Sequence, residues 1–320
     1  MTLQAIEAAA ARMRGHVRVT PLLNAPLLDR LAGRRIFVKA ECLQVTGSFK
    51  ARGGWAAVSA LPAGARGVLA MSSGNHAQGV AWAAAAHGVP AVIVMPSDAP
   101  AVKVANTRAY GAEVVLYDRV RDDRDALAAG IAAERGLALV PPYDHPEVIA
   151  GQGSVGLEIA VQAAEAGIAG ADVLVCCGGG GLSAGVAMAL DARAPGLRVR
   201  TVEPAGFDDM ARSLVSGQRE GNAAATGSVC DAILTPMPGA LTLPILHRLA
   251  GPGMVVSDDE ALRAVALAFR YLRIVAEPGG AVALAAALFR DDLPETVICT
   301  VSGGNADPEI FAGALARFGG

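Results

Sequence analysis

Short apolar runs rich in valine and isoleucine alternate along the chain with longer stretches rich in alanine. The apolar runs have the length and the β-branched content of buried strands, and they cover residues 35–39, 67–71, 91–95, 113–116, 173–177, 199–202 and 297–301. The alanine-rich stretches have the length and composition of helices, and they cover residues 77–87, 102–110, 124–135, 182–192 and 259–272. Strands that alternate with helices predict an α/β fold, with open, mostly parallel sheets covered by helices.

The spacing of these elements predicts two lobes. Four short units lie between about residues 48 and 140, whereas the later units are longer. Pro141 and Pro142 follow the short units, and two consecutive prolines cannot continue a helix or a strand ladder. We therefore expect a small α/β domain over residues 48–141 and a large domain made of residues 1–47 and 142–320.

Composition and charge exclude several classes of protein and of partner. The chain has 320 residues, of which 53% are hydrophobic and 18% charged, so it is expected to form a compact globular protein. Lys and Arg number 27 against 30 Asp and Glu, which leaves no positive surplus for nucleic-acid backbones. The mean hydropathy is +0.41, but Gly, Pro, His or charged residues interrupt every apolar run before it could span a membrane. Nucleic acid and membrane are therefore not expected partners.

The cysteines and the first residues indicate the cellular compartment. The five cysteines, at positions 42, 176, 177, 230 and 299, are odd in number and show no C-x-x-C spacing. This pattern favours neither a disulfide framework nor a zinc site, and it predicts a reducing, cytoplasmic location. Residues 3–14 lack the order of a secretion signal, and we expect them to form a helix of the mature protein.

A lysine at the start of a predicted helix is the first candidate for chemistry. Residues 46–54 read Thr-Gly-Ser-Phe-Lys-Ala-Arg-Gly-Gly, so Lys50 would lie in the first turn of the helix. The partial positive charge of a helix N-terminus disfavours an ammonium there and favours the neutral amine. A neutral lysine is a nucleophile that forms a Schiff base with an aldehyde. The alternative is a solvated surface lysine.

Two later turns are suited to bind anions. Residues 72–79 read Ser-Ser-Gly-Asn-His-Ala-Gln-Gly after a strand, and their hydroxyl, amide and helix-terminal N–H groups can bind a carboxylate or a phenolate. The alternative is a capped helix with a buried histidine, but ligands of open α/β sheets bind at the carboxyl ends of strands, where this turn lies. Residues 177–183 read Cys-Gly-Gly-Gly-Gly-Leu-Ser. Four glycines before a helix form a cradle for a phosphate monoester, whereas a loose glycine linker would not fit tightly between a strand and a helix.

A fourth turn, Ser302-Gly303-Gly304-Asn305, follows the last strand and can offer a neutral hydroxyl to a ring nitrogen, although alone it would be only a turn. In this order, the four turns resemble those of the pyridoxal-phosphate enzymes of the serine/threonine dehydratase family. The resemblance includes residues 20–22, 148–153 and 277–280, which read Thr-Pro-Leu, Val-Ile-Ala-Gly-Gln-Gly and Glu-Pro-Gly-Gly. It covers nearly the whole chain and implies a fold of type II, like the β subunit of tryptophan synthase, in a homodimer.

The resemblance implies a role for each matching residue. Lys50 would hold pyridoxal 5'-phosphate through a Schiff base and remove the α-proton of an amino-acid substrate, and Phe49 would pack on the cofactor ring. Asn75 would hydrogen-bond the phenolic oxygen of the cofactor, and Ser302 would face its pyridine nitrogen. The phosphate would be held by Gly178, Gly179, Gly180 and Gly181, and the substrate carboxylate by Ser72, Ser73, Gly74, Asn75 and His76. A hydroxyl beside the ring nitrogen leaves a weaker electron sink than a carboxylate would, which suits prompt loss of a β-hydroxyl.

The activity implied is the dehydration of serine, threonine or a β-substituted serine, such as 3-hydroxyaspartate, to a 2-oxo acid and ammonia. Ser73 favours an alternative, because threonine dehydratases usually have alanine there, whereas serine racemases have a serine that protonates the face opposite the lysine. A β-replacement synthase is less favoured, since such enzymes commonly continue the lysine turn with Asp-Arg instead of Ala51-Arg52. A non-catalytic binder of phosphorylated metabolites is also less favoured, because phosphate binding does not require the amine of Lys50.

Residues 202–209 resemble the divalent-cation site of serine racemases and of some dehydratases. By this resemblance, Glu203, Asp209 and the backbone carbonyl of Phe207 would bind Mg²⁺ or Ca²⁺ in a structural or activating role. The alternative is a solvated acidic loop. Arg124 falls near a position where racemases carry an arginine in the substrate pocket, but we expect it to be a surface residue.

Overall fold

The structure is a computed structural model that describes residues 1–99, 101–118 and 120–319. Its strands are β1 (Leu22–Asn24), β2 (Arg35–Ala40), β3 (Val68–Met71), β4 (Ala91–Pro96), β5 (Glu113–Tyr117), β6 (Ala138–Leu139), β7 (Ala171–Cys176), β8 (Leu197–Pro204), β9 (Met254–Val256) and β10 (Thr296–Val301). Its helices are α1 (Leu3–Met13), α2 (Pro26–Ala32), α3 (Lys50–Ser59), α4 (Asn75–His87), α5 (Ala101–Ala109), α6 (Arg124–Arg135), α7 (Pro146–Glu165), α8 (Gly181–Arg193), α9 (Asp209–Ser216), α10 (Thr242–Leu249), α11 (Asp258–Leu267), α12 (Pro278–Phe289) and α13 (Pro308–Phe318).

These strands form two sheets. The larger sheet has the order β1-β2-β10-β7-β8-β9, in which β1 runs antiparallel to β2 and the other neighbours are parallel. The smaller sheet has the order β5-β4-β3-β6 and is parallel throughout. The predicted fold class is therefore confirmed. The carboxyl ends of β2, β3, β7 and β10 lead into the four turns that the sequence singled out.

Every strand and helix range predicted above is present, and the helix predicted over residues 259–272 consists of α11 and a π-helical turn at Ala268–Leu272. The predicted ranges do not include β1, β6, β9, α2, α7, α9, α10, α12 and α13. Helix α12 gave no one-sided apolar periodicity, because its residues 278–288 are all buried. The smaller sheet is built from residues 68–139, inside the range predicted for the small domain. The boundaries near residues 48 and 142 remain predictions, and residues 100, 119 and 320 of the predicted domains lie outside the described residues.

No helix in the described part of the chain has both the length and the apolar character needed to cross a membrane.

Glycines allow four helices next to the turns to pack closely. A Cβ on Gly54 of α3 would lie 2.6 Å from the carbonyl oxygen of Gly79 in α4, and a Cβ on Gly79 would lie 2.7 Å from that of Lys50. Helices α7 and α8 meet in the same way, because a Cβ on Gly185 would lie 2.5 Å from the carbonyl oxygen of Ile149. These obstacles are backbone atoms, which cannot rotate away, so a side chain at any of these positions would separate the helices.

We expect Gly185→Ala to lower the free energy of unfolding by about 2 kcal/mol or more, because the added methyl overpacks a backbone contact. Gly130→Ala is the matched control, since Gly130 is exposed in α6 and its Cβ would meet nothing within 4 Å. That control should raise stability by about 0.5 to 1 kcal/mol, because alanine restricts the unfolded chain. Urea unfolding followed by circular dichroism measures both changes, and equal midpoints for Gly185→Ala and wild type would contradict the packing argument.

Candidate active site

The four predicted turns line one cavity of about 750 Å³. Its walls include every residue predicted to bind cofactor or substrate: Phe49, Lys50, Ser72, Ser73, Gly74, Asn75, His76, Gly178, Gly179, Gly180, Gly181 and Ser302. The cavity does not include Arg124, which is exposed and pairs with Asp125 at 3.0 Å, nor the predicted cation ligands. The assignment of individual roles to the lining residues remains a prediction.

Lys50 is the first residue of α3, and its environment favours the neutral amine. The Lys50 Nζ donates a hydrogen bond to the carbonyl oxygen of Pro142 at 2.7 Å. Burial lowers the pKa of Lys50 to about 8, and the carboxyl group of Glu277 opposes this shift only in part. Near pH 7 about a tenth of Lys50 is therefore neutral and available as a nucleophile, against well under 1% of an unperturbed lysine.

The lysine turn is held against the last turn of the larger sheet. The N–H of Phe49 donates to the carbonyl oxygen of Ser302 at 3.1 Å, and the N–H of Gly304 donates to that of Gly47 at 2.9 Å. Thr46 and Gly47 both adopt left-handed backbone conformations, with φ of 65° and 74°. Since a threonine rarely adopts this conformation, the contacts of the turn must hold it there.

Asn75 begins α4 and hydrogen-bonds to two residues that the sequence analysis gave no role. Its Nδ2 donates to Glu277 Oε1 at 2.6 Å, and its Oδ1 accepts from Asn305 Nδ2 at 2.7 Å. Burial raises the pKa of Glu277 to about 7, although the hydrogen bond from Asn75 opposes the shift. Both partners stand in quoted motifs, Glu-Pro-Gly-Gly and Ser-Gly-Gly-Asn, so a signal was present, but its meaning depends on contacts across the fold.

His76 is neutral at the floor of the same turn. Its Nε2 lies 2.8 Å from the carbonyl oxygen of Val140, which can only accept, so Nε2 carries the proton. Burial and, to a smaller extent, the charge of the nearby Lys50 lower the pKa of His76 to about 3. A substrate carboxylate at this turn would therefore meet hydroxyl, amide and backbone N–H groups and no imidazolium charge.

The glycine turn forms a cradle that side chains would fill. A Cβ on Gly179 would lie 2.2 Å from the ring of Tyr143, and a Cβ on Gly180 would lie 2.6 Å from Met210 Cε. Gly180 also has a φ of 90°, which side chains rarely permit, and helix α8 begins at Gly181. The turn therefore presents backbone N–H groups at a helix N-terminus, an arrangement suited to a phosphate. Tyr143, which covers the turn, was not predicted as a site residue.

Ser302 lies at the carboxyl end of β10, where it is 4% exposed. It offers an uncharged hydroxyl to the cavity.

An ion pair on the cavity wall joins α5 to the loop before α10. Lys103 Nζ lies 2.8 Å from Asp231 Oδ2.

The predicted cation ligands form a separate buried cluster. The carboxylate of Glu203 accepts hydrogen bonds from the backbone N–H groups of Met210 and Ala211 at 2.8 and 2.7 Å. Asp209 accepts from Asn222 Nδ2 through Oδ1 at 2.7 Å, while its buried Oδ2 has no partner in the described structure. Burial raises the pKa of Asp209 to about 6. Burial also raises the pKa of Glu203, and the negative charge of Asp209 raises it further. The loop is therefore not a solvated acidic loop.

Phe207, the third predicted ligand, is 5% exposed. No group of three or more His, Cys, Asp or Glu side chains in the described ranges is arranged to hold a metal ion. The predicted set has only two carboxylates and one backbone carbonyl, so it does not form such a group.

The chain is similar over nearly its whole length to proteins of one enzyme family. A family model described as "Pyridoxal-phosphate dependent enzyme" matches residues 13–304. L-threo-3-hydroxyaspartate ammonia-lyase of Pseudomonas sp is 39% identical over 311 residues, 96% of this chain and 96% of that protein. Serine racemase of Schizosaccharomyces pombe is 37% identical over 321 residues, 99% of this chain and 98% of that protein. The crystal structure of a threonine deaminase from T.th. matches with a TM-score of 0.91 and 45% identity, covering 96% of this chain and 99% of that chain.

The lowered pKa of Lys50 can be tested by reductive methylation, because the chain has only three lysines, Lys39, Lys50 and Lys103. Hydroxylamine treatment and dialysis first remove any bound aldehyde from Lys50. Formaldehyde and cyanoborohydride should then methylate Lys50, and the extent of methylation should reach half its maximum near pH 8. About half of its amine is neutral there, against well under 1% for an unperturbed lysine. Peptide mass spectrometry across pH 6–10 measures the modification, with the partly exposed Lys103 as internal control. A Lys50 profile that follows that of Lys103 would contradict the assignment.

Proposed function

The chain belongs to the family of pyridoxal-phosphate dependent enzymes, and we propose that it is an ammonia-lyase that eliminates water from an L-β-hydroxy amino acid to give a 2-oxo acid and ammonia. The observation that carries the proposal is the convergence of the Lys50 amine, the glycine cradle and the neutral Ser302 hydroxyl in one cavity. The names of the relatives support it, because two of the three act as a 3-hydroxyaspartate ammonia-lyase and a threonine deaminase.

The residues present fit the cofactor. Bound pyridoxal phosphate supplies an aldehyde that condenses with amines and an electron-withdrawing ring that acidifies the α-proton of a bound amino acid. Lys50 would hold the aldehyde carbon, and the N–H groups of the glycine turn would hold the phosphate. Asn75 would donate to the phenolic oxygen, Phe49 would pack on the ring, and Ser302 would face the ring nitrogen as an uncharged partner.

Different residues of the chain would act on the carboxylate, the α-proton and the β-hydroxyl of the substrate. The turn from Ser72 to His76 would hold the substrate carboxylate with uncharged donors at the start of α4, which orients the α-proton. The Nζ of Lys50 would take that proton, since burial lowers the pKa of this amine to about 8 and so raises its neutral fraction. The neutral partner at Ser302 favours early departure of the β-hydroxyl over storage of negative charge in the ring.

A racemase is the second candidate, and the presence of Ser73 in the same cavity favours it. One relative is a serine racemase, and racemisation needs a second acid/base group on the face opposite the lysine. The hydroxyl of Ser73 would be that group. A non-catalytic binder of phosphorylated metabolites does not account for the half-buried Lys50 with its lowered pKa. Among the described residues of the cavity, no contact favours a β-replacement synthase.

We expect purified protein with pyridoxal phosphate and Mg²⁺ to release 2-oxo acid from at least one of L-serine, L-threonine, L-threo-3-hydroxyaspartate and L-threo-phenylserine, without a comparable rate of D-isomer formation. Lys50→Ala should lower this rate by about 1,000-fold or more, because the nucleophile and base are removed together. Coupled assay of oxo acid and chiral chromatography of the amino acid give the two rates.

Ser73→Ala separates the two candidates. If D-isomer forms in wild type and this variant loses it while keeping most of the elimination, the protein is a racemase with a side elimination activity. If neither oxo acid nor D-isomer forms from any of the four substrates, the proposed function is wrong.

We further propose that Glu203, Asp209 and the carbonyl oxygen of Phe207 bind Mg²⁺ or Ca²⁺ in a structural or activating role. The support is the buried Oδ2 of Asp209, which has no partner in the described structure and lies in a cluster with a second buried carboxylate. A divalent cation would supply the missing partner and offset the repulsion between the two acidic groups.

Addition of millimolar Mg²⁺ or Ca²⁺ should raise the melting temperature of the wild-type protein, because a ligand that binds only the folded state stabilises it by mass action. Asp209→Asn should abolish the shift, since the amide removes one charged ligand. Asp208→Asn makes the same chemical change one residue earlier, at a carboxylate that pairs with Arg212, and should keep the shift. An equal response of all three proteins in differential scanning fluorimetry would exclude this site.

The homodimer and the cytoplasmic location remain predictions from the sequence, and the identity of the amino-acid substrate is the part of the proposal that the four-substrate assay decides.

A further inference from the structure

A line of hydrogen bonds runs along the cavity wall and joins three of the four turns to α12. At one end, the Nδ2 of Asn305 donates to the carbonyl oxygen of Thr46 at 2.9 Å. The same nitrogen donates to Oδ1 of Asn75 at 2.7 Å. At the other end, Nδ2 of Asn75 donates to Oε1 of Glu277 at 2.6 Å. The line thus starts at a backbone carbonyl and ends at a carboxyl group.

The hydrogen bond from Asn305 to the carbonyl oxygen of Thr46 determines the direction of the other bonds in this line. A carboxamide has nitrogen and oxygen ends of nearly equal size, so only its hydrogen-bond partners decide which way it faces. The carbonyl oxygen of Thr46 can only accept, and therefore the end of Asn305 that faces it must be the nitrogen. The second hydrogen of that nitrogen goes to Asn75, whose facing atom must then be the oxygen. The nitrogen of Asn75 is consequently turned to the side of Glu277.

This arrangement leaves one N–H of Asn75 for a ligand. Within the described structure Nδ2 of Asn75 donates only to Glu277, and a carboxamide nitrogen carries two hydrogens. Asn75 lines the cavity, so the second hydrogen is available there. If the carboxamide were reversed, its oxygen would face the ionised carboxylate of Glu277, and the cavity would lose its donor.

The backbone keeps Asn305 in place. A Cβ on Gly47 would lie 2.5 Å from Oδ1 of Asn305, so the side chain rests directly on this glycine. The left-handed conformations of Thr46 and Gly47 aim the Thr46 carbonyl, and the N–H of Gly304 donates to the carbonyl oxygen of Gly47 at 2.9 Å. The direction of the line is therefore set by backbone groups that do not titrate.

We propose that Asn305 is a positioning residue that fixes the direction of the Asn75 carboxamide, so that Asn75 presents an N–H donor to the phenolic oxygen of the cofactor. This inference rests on the proposed function, because it assigns to Asn75 the phenolic oxygen of pyridoxal phosphate. Asn305 acts on the cofactor through Asn75, and its hydrogen bond to the Thr46 carbonyl only sets which way its own carboxamide faces.

The test uses the full-length protein, stripped of cofactor and titrated with pyridoxal phosphate. Asn305→Asp keeps the shape of the side chain, but an ionised carboxylate cannot donate to Thr46 or to Asn75. We expect its dissociation constant for the cofactor to rise about 10-fold or more, the range for loss of one hydrogen bond to a charged acceptor. The absorbance of the bound cofactor should shift to shorter wavelength, because the phenolic oxygen loses a donor that favours its ionised form.

A double-mutant cycle distinguishes positioning from general damage. In an Asn75→Ala background, Asn305→Asp should change the dissociation constant less than about 2-fold, because the group through which it acts is gone. Asn106→Asp is the matched control, since Asn106 also lines the cavity and is exposed, and it adds the same charge outside the hydrogen-bonded line. It should leave the absorbance spectrum unchanged. Asn305→Ala, which removes the donor without adding charge, replaces Asn305→Asp if that variant does not fold by circular dichroism.

The outcomes separate the two proposals. If wild-type protein takes up no pyridoxal phosphate at Lys50, the proposed function itself fails. If wild type binds the cofactor and both Asn305 variants match it in affinity and absorbance, only the inference about Asn305 fails. The inference also fails if Asn305→Asp has its full effect in the Asn75→Ala background, because Asn305 would then act on the fold and not through Asn75.

Discussion

A buried network of four charged side chains holds α3 in place, and the position of Lys50 depends on it. The guanidinium of Arg52 donates to both carboxylate oxygens of Glu41 at 2.8 Å and to those of Glu158 at 2.7 and 2.9 Å. Lys39 completes the network with a hydrogen bond to Glu158 at 2.5 Å. Two cations face two anions, so the network is balanced in charge. Removal of one member would leave an unpaired buried charge, at a cost of about 3 to 5 kcal/mol.

The location of this network explains why the amine of Lys50 is buried without being lost to an ion pair. Arg52 is two residues after Lys50 on the same helix, and its partners lie on the turn after β2 and on α7. These contacts fix the axis of α3, while the glycine contact with α4 brings the Asn75 turn against the carbonyl of Lys50. The nucleophile and the anion-binding turn are therefore positioned by the same helix from opposite sides.

The sequence predicted features that depend on neighbouring residues, and it did not predict contacts between residues far apart in the chain. The four turns and the strands and helices that were predicted are local patterns, so valine runs, alanine runs and glycine-containing turns were enough to identify them. The partners of Asn75 are not local, because Glu277 and Asn305 lie 202 and 230 residues away from it along the chain. Their motifs were recognised, yet only the fold shows that they meet. In the same way, the sequence showed Glu203 and Asp209 as acidic residues, and only their burial shows that they are not solvated.

Most of the groups in the cavity that would touch a ligand are uncharged. His76 is neutral, Ser302 and the glycine turn offer dipoles, and the charge of Lys103 is paired with Asp231 at 2.8 Å. Burial moves the pKa of Lys50 down to about 8 and that of Glu277 up to about 7, so each has a larger neutral fraction near physiological pH than the free side chain has. In the proposed function, an anionic ligand would be bound by oriented N–H and O–H groups, which do not change charge during a reaction. In the proposed reaction, Lys50 would then take up and release the proton beside the substrate, as proton abstraction at an α-carbon requires.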